Sequence, residues 1–371
     1  MLVLISDLHI SDERTAKNVN PEALKLLFSN IHDTFGRRGA KEVHLVLLGD
    51  IFDLVRTDYW HRKSIPMQHR PWGGTLDPRT AMNVQTRLIE QQFSEILRAI
   101  LATDLAVELR DQLAAMAGRV PFQVTYVAGN HERVLWNFPG LRRQITAAIP
   151  EIATFARAVE STEYGVLARH GHEWDDNCHG WRLLRDVLGG GKDVDRFAPE
   201  GYEVMAIGEA VTAELMGGLI HHARALGAPA PLVEQLKEVN NLRPTLDVFA
   251  WLEWLGSAES KAHSRILHQA LGEALDGLLA SDLARLWDRI TPDLILSGDL
   301  VDRLQQAKAV LLGPDFDSFR GRVTALEKLQ RLFPFLAPDS DQLVQGAGRE
   351  AVFTEAQASR GIQRVVYGHT H

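Results

Sequence analysis

The runs LVLI at residues 2–5 and VHLVLL at residues 43–48 stay apolar without alternating, then end abruptly in polar residues. A strand that is apolar on both faces is one buried on both faces, the habit of parallel sheets. Between the runs, Leu24, Leu27, Phe28, Ile31 and Phe35 recur at helical spacing after Pro21, and Gly36 is expected to close the helix. Strand, helix and strand in that order commit the chain to an α/β layer architecture. FQVTYVA at 122–128 and GVLAR at 165–169 add strands. A long helix is expected from about Met82 to Met116, and a loop over 56–80.

From about Cys178 to Gln357 the pattern turns helical, with breaks at Gly189–Gly191, at 227–231, at Pro244 and at Pro314. Trp181, Trp251, Trp254 and Trp287 sit among leucines and alanines there, which reads as core before binding platform. A strand pattern returns only at Val365–Tyr367. The expected organisation is a core over 1–178, a helical insertion or cap over 179–357, and a return to the core over 358–371. Whether the insertion shapes a pocket, meets a partner or is a domain of its own stays open. No internal repeat is visible.

A chain of 371 residues with 45% hydrophobic and 24% charged residues has material for a sizeable core. Its net charge of −8 argues against a protein built to coat nucleic acid or an anionic membrane. One cysteine, Cys178, excludes an internal disulfide and a cysteine-based zinc finger. The start MLVLISDLHI lacks a basic region and a long apolar stretch, so no secretory signal is expected. The longest apolar stretch, Val204 to Leu219, carries Glu209 and Glu214, so no membrane span is expected. The expectation is a cytoplasmic protein.

Five strand ends carry polar residues of one chemical kind: Asp7 and His9, Asp50, Asn130 and His131, His170 and His172, and His369 and His371. In α/β sheets such loops converge on one crevice. Singly these are ordinary: an Asp-x-His is mostly a surface turn, and Gly-Asp after a strand is often only a turn. Together, carboxylate, imidazole and amide oxygens suit a first-row divalent metal. Their number suits two ions bridged by a carboxylate, an arrangement that serves in-line displacement at phosphorus.

The series Asp7-x-His9, Gly49-Asp50, GNHE at 129–132, the His-Gly of RHGHEW and GHTH at 368–371 resembles the motif set of the calcineurin-like metallophosphoesterase superfamily. The likeness covers residues 1–178 and 361–371. It implies a four-layer αββα sandwich, two mixed sheets flanked by helices, here with a large α-helical insertion. It implies that Asp7, His9 and His371 hold one divalent ion and Asn130, His170 and His369 the other, with Asp50 between them. The ions implied are Mn, or else Fe, Zn, Ni or Co. His131 corresponds to the catalytic histidine beside the scissile phosphate. The implied activity is hydrolysis of a phosphomonoester or phosphodiester by a metal-bridging hydroxide.

Some assignments stay open at this stage. His170 is favoured over His172 as ligand, with His172 orienting substrate or lying on the surface. Asp53 either holds a ligand imidazole or caps its own loop. Arg56, His61, Arg62, Lys63, His69 and Arg70 form a basic loop that either grips substrate phosphate, through Arg56 and Arg62 above all, or is simply solvated. Gly-Asp recurs at Asp299, out of order and expected to be structural, and Gly189–Gly191 with Lys192 lacks the rest of a phosphate loop. GDIFD and Trp60 are similar to the branch with UDP-2,3-diacylglucosamine pyrophosphatases, which usually has GNRD where this chain has GNHE. Two other functions compete: a nuclease subunit using the insertion on nucleic acid or a partner, and a metal-binding regulatory protein without turnover. Because the family usually continues past GHTH, the core is expected to be truncated after His371.

Overall fold

The computed structural model describes residues 1–188, 194–241, 251, 254–255, 261–290, 300–311, 346, 348, 350 and 361–369. His371, Asp299, Gly189–Gly191, Lys192, Pro244 and Pro314 lie outside the described residues.

The expected strands form an α/β arrangement with a parallel sheet. Strands β1 (Leu2–Ile5), β2 (Val43–Leu48), β3 (Phe122–Val127) and β4 (Thr154–Ala156) lie side by side in chain order, all parallel. A second sheet holds β5 (Ala158–Ser161), β6 (Val166–Arg169) and β7 (Arg364–Tyr367). There β5 runs antiparallel to β6, and β7 parallel to it, with Arg169 opposite Tyr367. That register carries the loops after β6 and β7 to one end of the sheet, although 198 positions separate the paired residues.

Alternation along β2 explains how the layers stack. Val46 and Leu48 pack with Val127, Val166 and Ala168 in a small cluster between the two sheets. Leu45 and Leu47, pointing the other way, join Val124 and Tyr126 in the large cluster under the helices. Each leucine so buried contributes about 1.5–3 kcal/mol. Truncating Leu47 to alanine would cost about 2–5 kcal/mol.

Helix α1 (Pro21–Arg38) starts where the Asn20 side chain accepts from Glu22 N. It runs past Gly36 and ends at Gly39, whose φ of 58° makes the left-handed cap. An internal glycine costs a helix only about 1 kcal/mol, too little to stop one that buries Leu24, Phe28 and Ile31. The stretch from Met82 to Met116 is two helices, α2 (Thr86–Leu101) and α3 (Asp104–Ala117). Thr103 divides them, its side chain accepting from Ala106 N to begin α3. Helix α4 (Pro139–Ala148) and the short β4 and β5 give no clear periodic signal.

The large cluster does not stop at residue 178. Val211, Leu219, Ala274, Leu278 and Leu304 belong to the same buried cluster as Leu45 and Tyr126. Its central element is a continuous helix, α-helical over Ile207–Ala210, π over Val211–Gly217 and α-helical again over Gly218–Ala225. Among the described residues, the segment Pro199–Ala225 alone is long and apolar enough to cross a membrane, and 83% of its most apolar window is buried inside the protein. Two of its acids are neutralised in place: Arg133 grips Glu209 at 2.5 and 3.0 Å, and Arg70 grips Glu214 at 2.5 and 2.7 Å.

Candidate metal centre

Beyond the strand ends, backbone pairing continues and fixes the loops. Asp7 N donates to Gly49 O at 3.0 Å, and His9 N to Asp50 O at 2.8 Å. His369 N donates to both carboxylate oxygens of Asp7, at 3.2 and 3.1 Å. Ile51 N and Tyr126 OH donate to one oxygen of buried Glu132, holding the loop after β2 against the loop after β3. Burial and the Asp50 charge push the Glu132 carboxyl well above its usual range.

The result is a crevice in which Asp7, His9, Asp50, Asn130, His131, His170 and His369 stand together. Four of the six non-glycine residues with positive φ among the described residues are in this set: Asp7 (58°), His9 (44°), Asp50 (52°) and His369 (72°). Left-handed backbone at such residues costs energy and gathers at functional sites. Gly49, at φ 90°, has no such strain, and a Cβ there would strike the His170 ring.

Asp50 is the hub. Its Oδ2 lies 3.2 Å from His170 Nε2, 3.8 Å from His9 Nε2 and 3.9 Å from His131 Nε2, and its Oδ1 accepts from His131 N at 3.0 Å. Asn130 Oδ1 lies 3.2 Å from the same His170 Nε2. Burial raises the Asp50 pKa, but the charges of His170, His131 and His9 outweigh it and hold the carboxyl well below its usual range. For His170 burial acts downward, yet the charge and hydrogen bond of Asp50, with Asp7 and Glu132 behind, push it up to about 10. Burial and the Arg56 charge instead bring His9 down to about 4.

The far side of each ring shows what the near side is for. His170 Nδ1 donates to Leu48 O at 2.9 Å, which leaves Nε2 as the nitrogen that faces Asp50 and Asn130. His9 Nδ1 donates to Asp53 Oδ2 at 3.2 Å, and His131 Nδ1 stands 2.9 Å from Asp53 Oδ1. An imidazole whose outer N–H is held by a carbonyl or carboxylate is oriented as a metal ligand is. Two acceptor oxygens and a lone pair converging at His170 need a proton or a cation among them. The buried groups His9–Asp50–His131 and Asp50–His170–His369 each bring their donor atoms within 4.8 Å of one another, and each could hold a metal ion. The donor set therefore could hold a metal ion.

The remaining expected residues divide. Arg56 stays at the crevice, buried, its Nε 3.1 Å from Asp53 Oδ2. His172 is also buried, its ring 5.2 Å from that of His170 and its Nδ1 without a hydrogen bond. Arg62 is exposed and stacks over the Tyr59 ring at 4.4 Å. His61 and Arg70 turn toward the π segment, where His61 Nε2 donates to Ala213 O at 3.0 Å and Arg70 meets Glu214. The basic loop is thus fastened to the helical region more than it is spread over the crevice. Sequence reasoning missed Asp175 and Cys178, which approach His369. A Cys three residues after an Asp in RHGHEWDDNC was the signal available.

No family model, curated protein or solved structure matches this chain.

Proposed function

We propose that the protein is a metal-dependent phosphoesterase of the calcineurin-like kind, with two divalent cations, Mn²⁺ by preference, in the crevice around Asp50. The four-layer core and the ligand pairing implied by the motifs belong to the same proposal. The observation that carries it is the convergence on Asp50 of His9, His131 and His170, two of the three with the outer ring nitrogen donating to a fixed acceptor. Bound divalent cations supply Lewis acidity at phosphoryl oxygens and ionise water near neutral pH.

The chain's own residues supply the rest. Asp50, kept ionised, sits between the imidazoles and fixes their spacing. Asp53 stands against His9 and His131 at once and turns their Nε2 atoms inward. His131 Nε2, facing the crevice, can give a proton to the leaving oxygen or stabilise charge on the phosphoryl group. Arg56, buried beside them, adds a fixed positive charge for a phosphate.

The test is hydrolysis of bis-p-nitrophenyl phosphate and p-nitrophenyl phosphate by metal-stripped protein before and after Mn²⁺ is restored, with Asp50→Asn as blank. Turnover that requires Mn²⁺ and vanishes in the variant supports the proposal. The preferred substrate separates diesters, and with them nucleic acids, from monoester metabolites. Bound metal without turnover of either compound would count against an esterase and favour a regulatory metal protein.

A further inference from the structure

His369 faces a second set of donors. Its Nε2 stands 3.3 Å from Asp175 Oδ2. One ring nitrogen of His369, one carboxylate oxygen of Asp175 and the Cys178 sulfur lie within 4.8 Å of one another. A tight turn makes this so: Cys178 N and His179 N donate to Asp175 O at 3.0 and 2.9 Å, carrying the carboxylate and the thiol to the same side. Asn177 N occupies Asp175 Oδ1 at 2.9 Å, which leaves Oδ2 for His369. Gly208 closes the other side. Its N donates to Asn177 O at 2.8 Å, and a Cβ there would come within 3.2 Å of the Cys178 sulfur.

This set needs neither Asp50 nor Asp7. The Cys178 thiol hydrogen-bonds to the Asp175 carboxylate, but a carboxylate alone suffices to orient His369, as Asp53 does for His9. What a thiol adds is a soft donor. Carboxylate, imidazole and thiolate together select Zn²⁺ and its heavier congener Cd²⁺ over Mn²⁺ or Mg²⁺.

We infer that Asp175, Cys178 and His369 form a cation site of their own for zinc-class ions, in competition with Asp50 and His170 for the His369 imidazole. Binding replaces the S–H bond with a sulfur–metal bond and releases the proton to solvent. Zinc at this site draws His369 from the Asp50 set, so Zn²⁺ inhibits whatever activity Mn²⁺ supports there. The site goes beyond the phosphoesterase proposal and stands without it.

A Cd²⁺ titration of the full chain, read by the ultraviolet charge-transfer band of a cadmium–thiolate bond, tests it. The expected result is one thiolate-bound Cd²⁺ per chain, a band absent from Cys178→Ser and kept in Asp50→Asn. Asp175→Asn should weaken binding by about tenfold or more. A wild-type chain with no band at saturating Cd²⁺ overturns the site and leaves Asp175 as a hydrogen-bond partner of His369. A band of undiminished affinity in Asp175→Asn overturns it too, because Cys178 would then be binding alone. Retention of the band in Asp50→Asn separates the fate of this site from that of the esterase.

Discussion

Imidazoles crowd together at two places among the described residues, and only one of them is arranged so that it could hold a metal ion. Around Asp50, the His9 and His131 rings meet edge to face at 4.6 Å, and those of His170 and His369 at 5.2 Å. Near the π segment, the His61 ring lies 5.1 Å from that of His221 and 5.7 Å from that of His222. The difference lies in the carboxylates. Asp50 Oδ2 has three imidazole nitrogens within 4 Å. Glu214 instead spends its oxygens on Arg70 and on Trp72 Nε1, the latter at 2.6 Å, and stands 4.0 Å from His61 Nδ1. His222 meets Glu273 at 3.0 Å. Density of histidine does not make a site; lone pairs left over after local hydrogen bonding do.

The sharpest way to break the contrast is to neutralise each hub. Asp50→Asn should lower Mn²⁺ affinity by more than the roughly 10–100-fold that even an outer partner of a ligand is worth, read by calorimetric titration. Glu214→Gln should leave that affinity unchanged, and equal losses in both variants would erase the distinction. Arg70→Ala strands Glu214 as an unpaired buried charge and should cost about 3–5 kcal/mol in urea unfolding. Its folded fraction should bind Mn²⁺ as the wild type does. Asp53→Asn should cost about 10–100-fold in Mn²⁺ affinity by loosening His9 and His131, and an unaltered affinity would show that Asp53 only caps its loop.

The smallest effect concerns pH. Burial first, then the Arg70 charge, lowers His61 to about 3. Below about pH 6.5 the unfolded chain takes up a proton there that the folded chain refuses. The stability owed to the neutral ring is thus complete above that pH and declines as pH falls toward about 3. The slope approaches roughly 1.4 kcal/mol per pH unit for this one group. Urea midpoints at pH 7 and pH 5 should differ less in His61→Gln than in the wild type.

The crevice was legible because its signal is local: each apolar run is followed at once by its Asp, Asn or His. Two long-range ties were not. Arg70 and Glu214 are 144 positions apart, and Arg133 and Glu209 are 76 apart. No spacing within a window links such pairs, and two acids in an apolar stretch told only against a membrane span. The break at Thr103 was hidden because the apolar pattern persists through it, and only the cap on Ala106 N ends one helix and begins the next. The basic loop looked like one unit in composition, yet burial sorted it, Arg56 to the crevice and Arg70 to the helix.

The bond from His369 N to the Asp7 carboxylate spans 362 positions in the chain. During synthesis, therefore, the crevice stays open until nearly everything else described here has left the ribosome. Closing so long a loop is slow, although each doubling of its length adds only about 0.6 kcal/mol of entropy cost. The intervening helical segment can thus grow or shrink at little thermodynamic cost. A cation seated between the Asp7 and His369 donors would act as a clasp across that long loop.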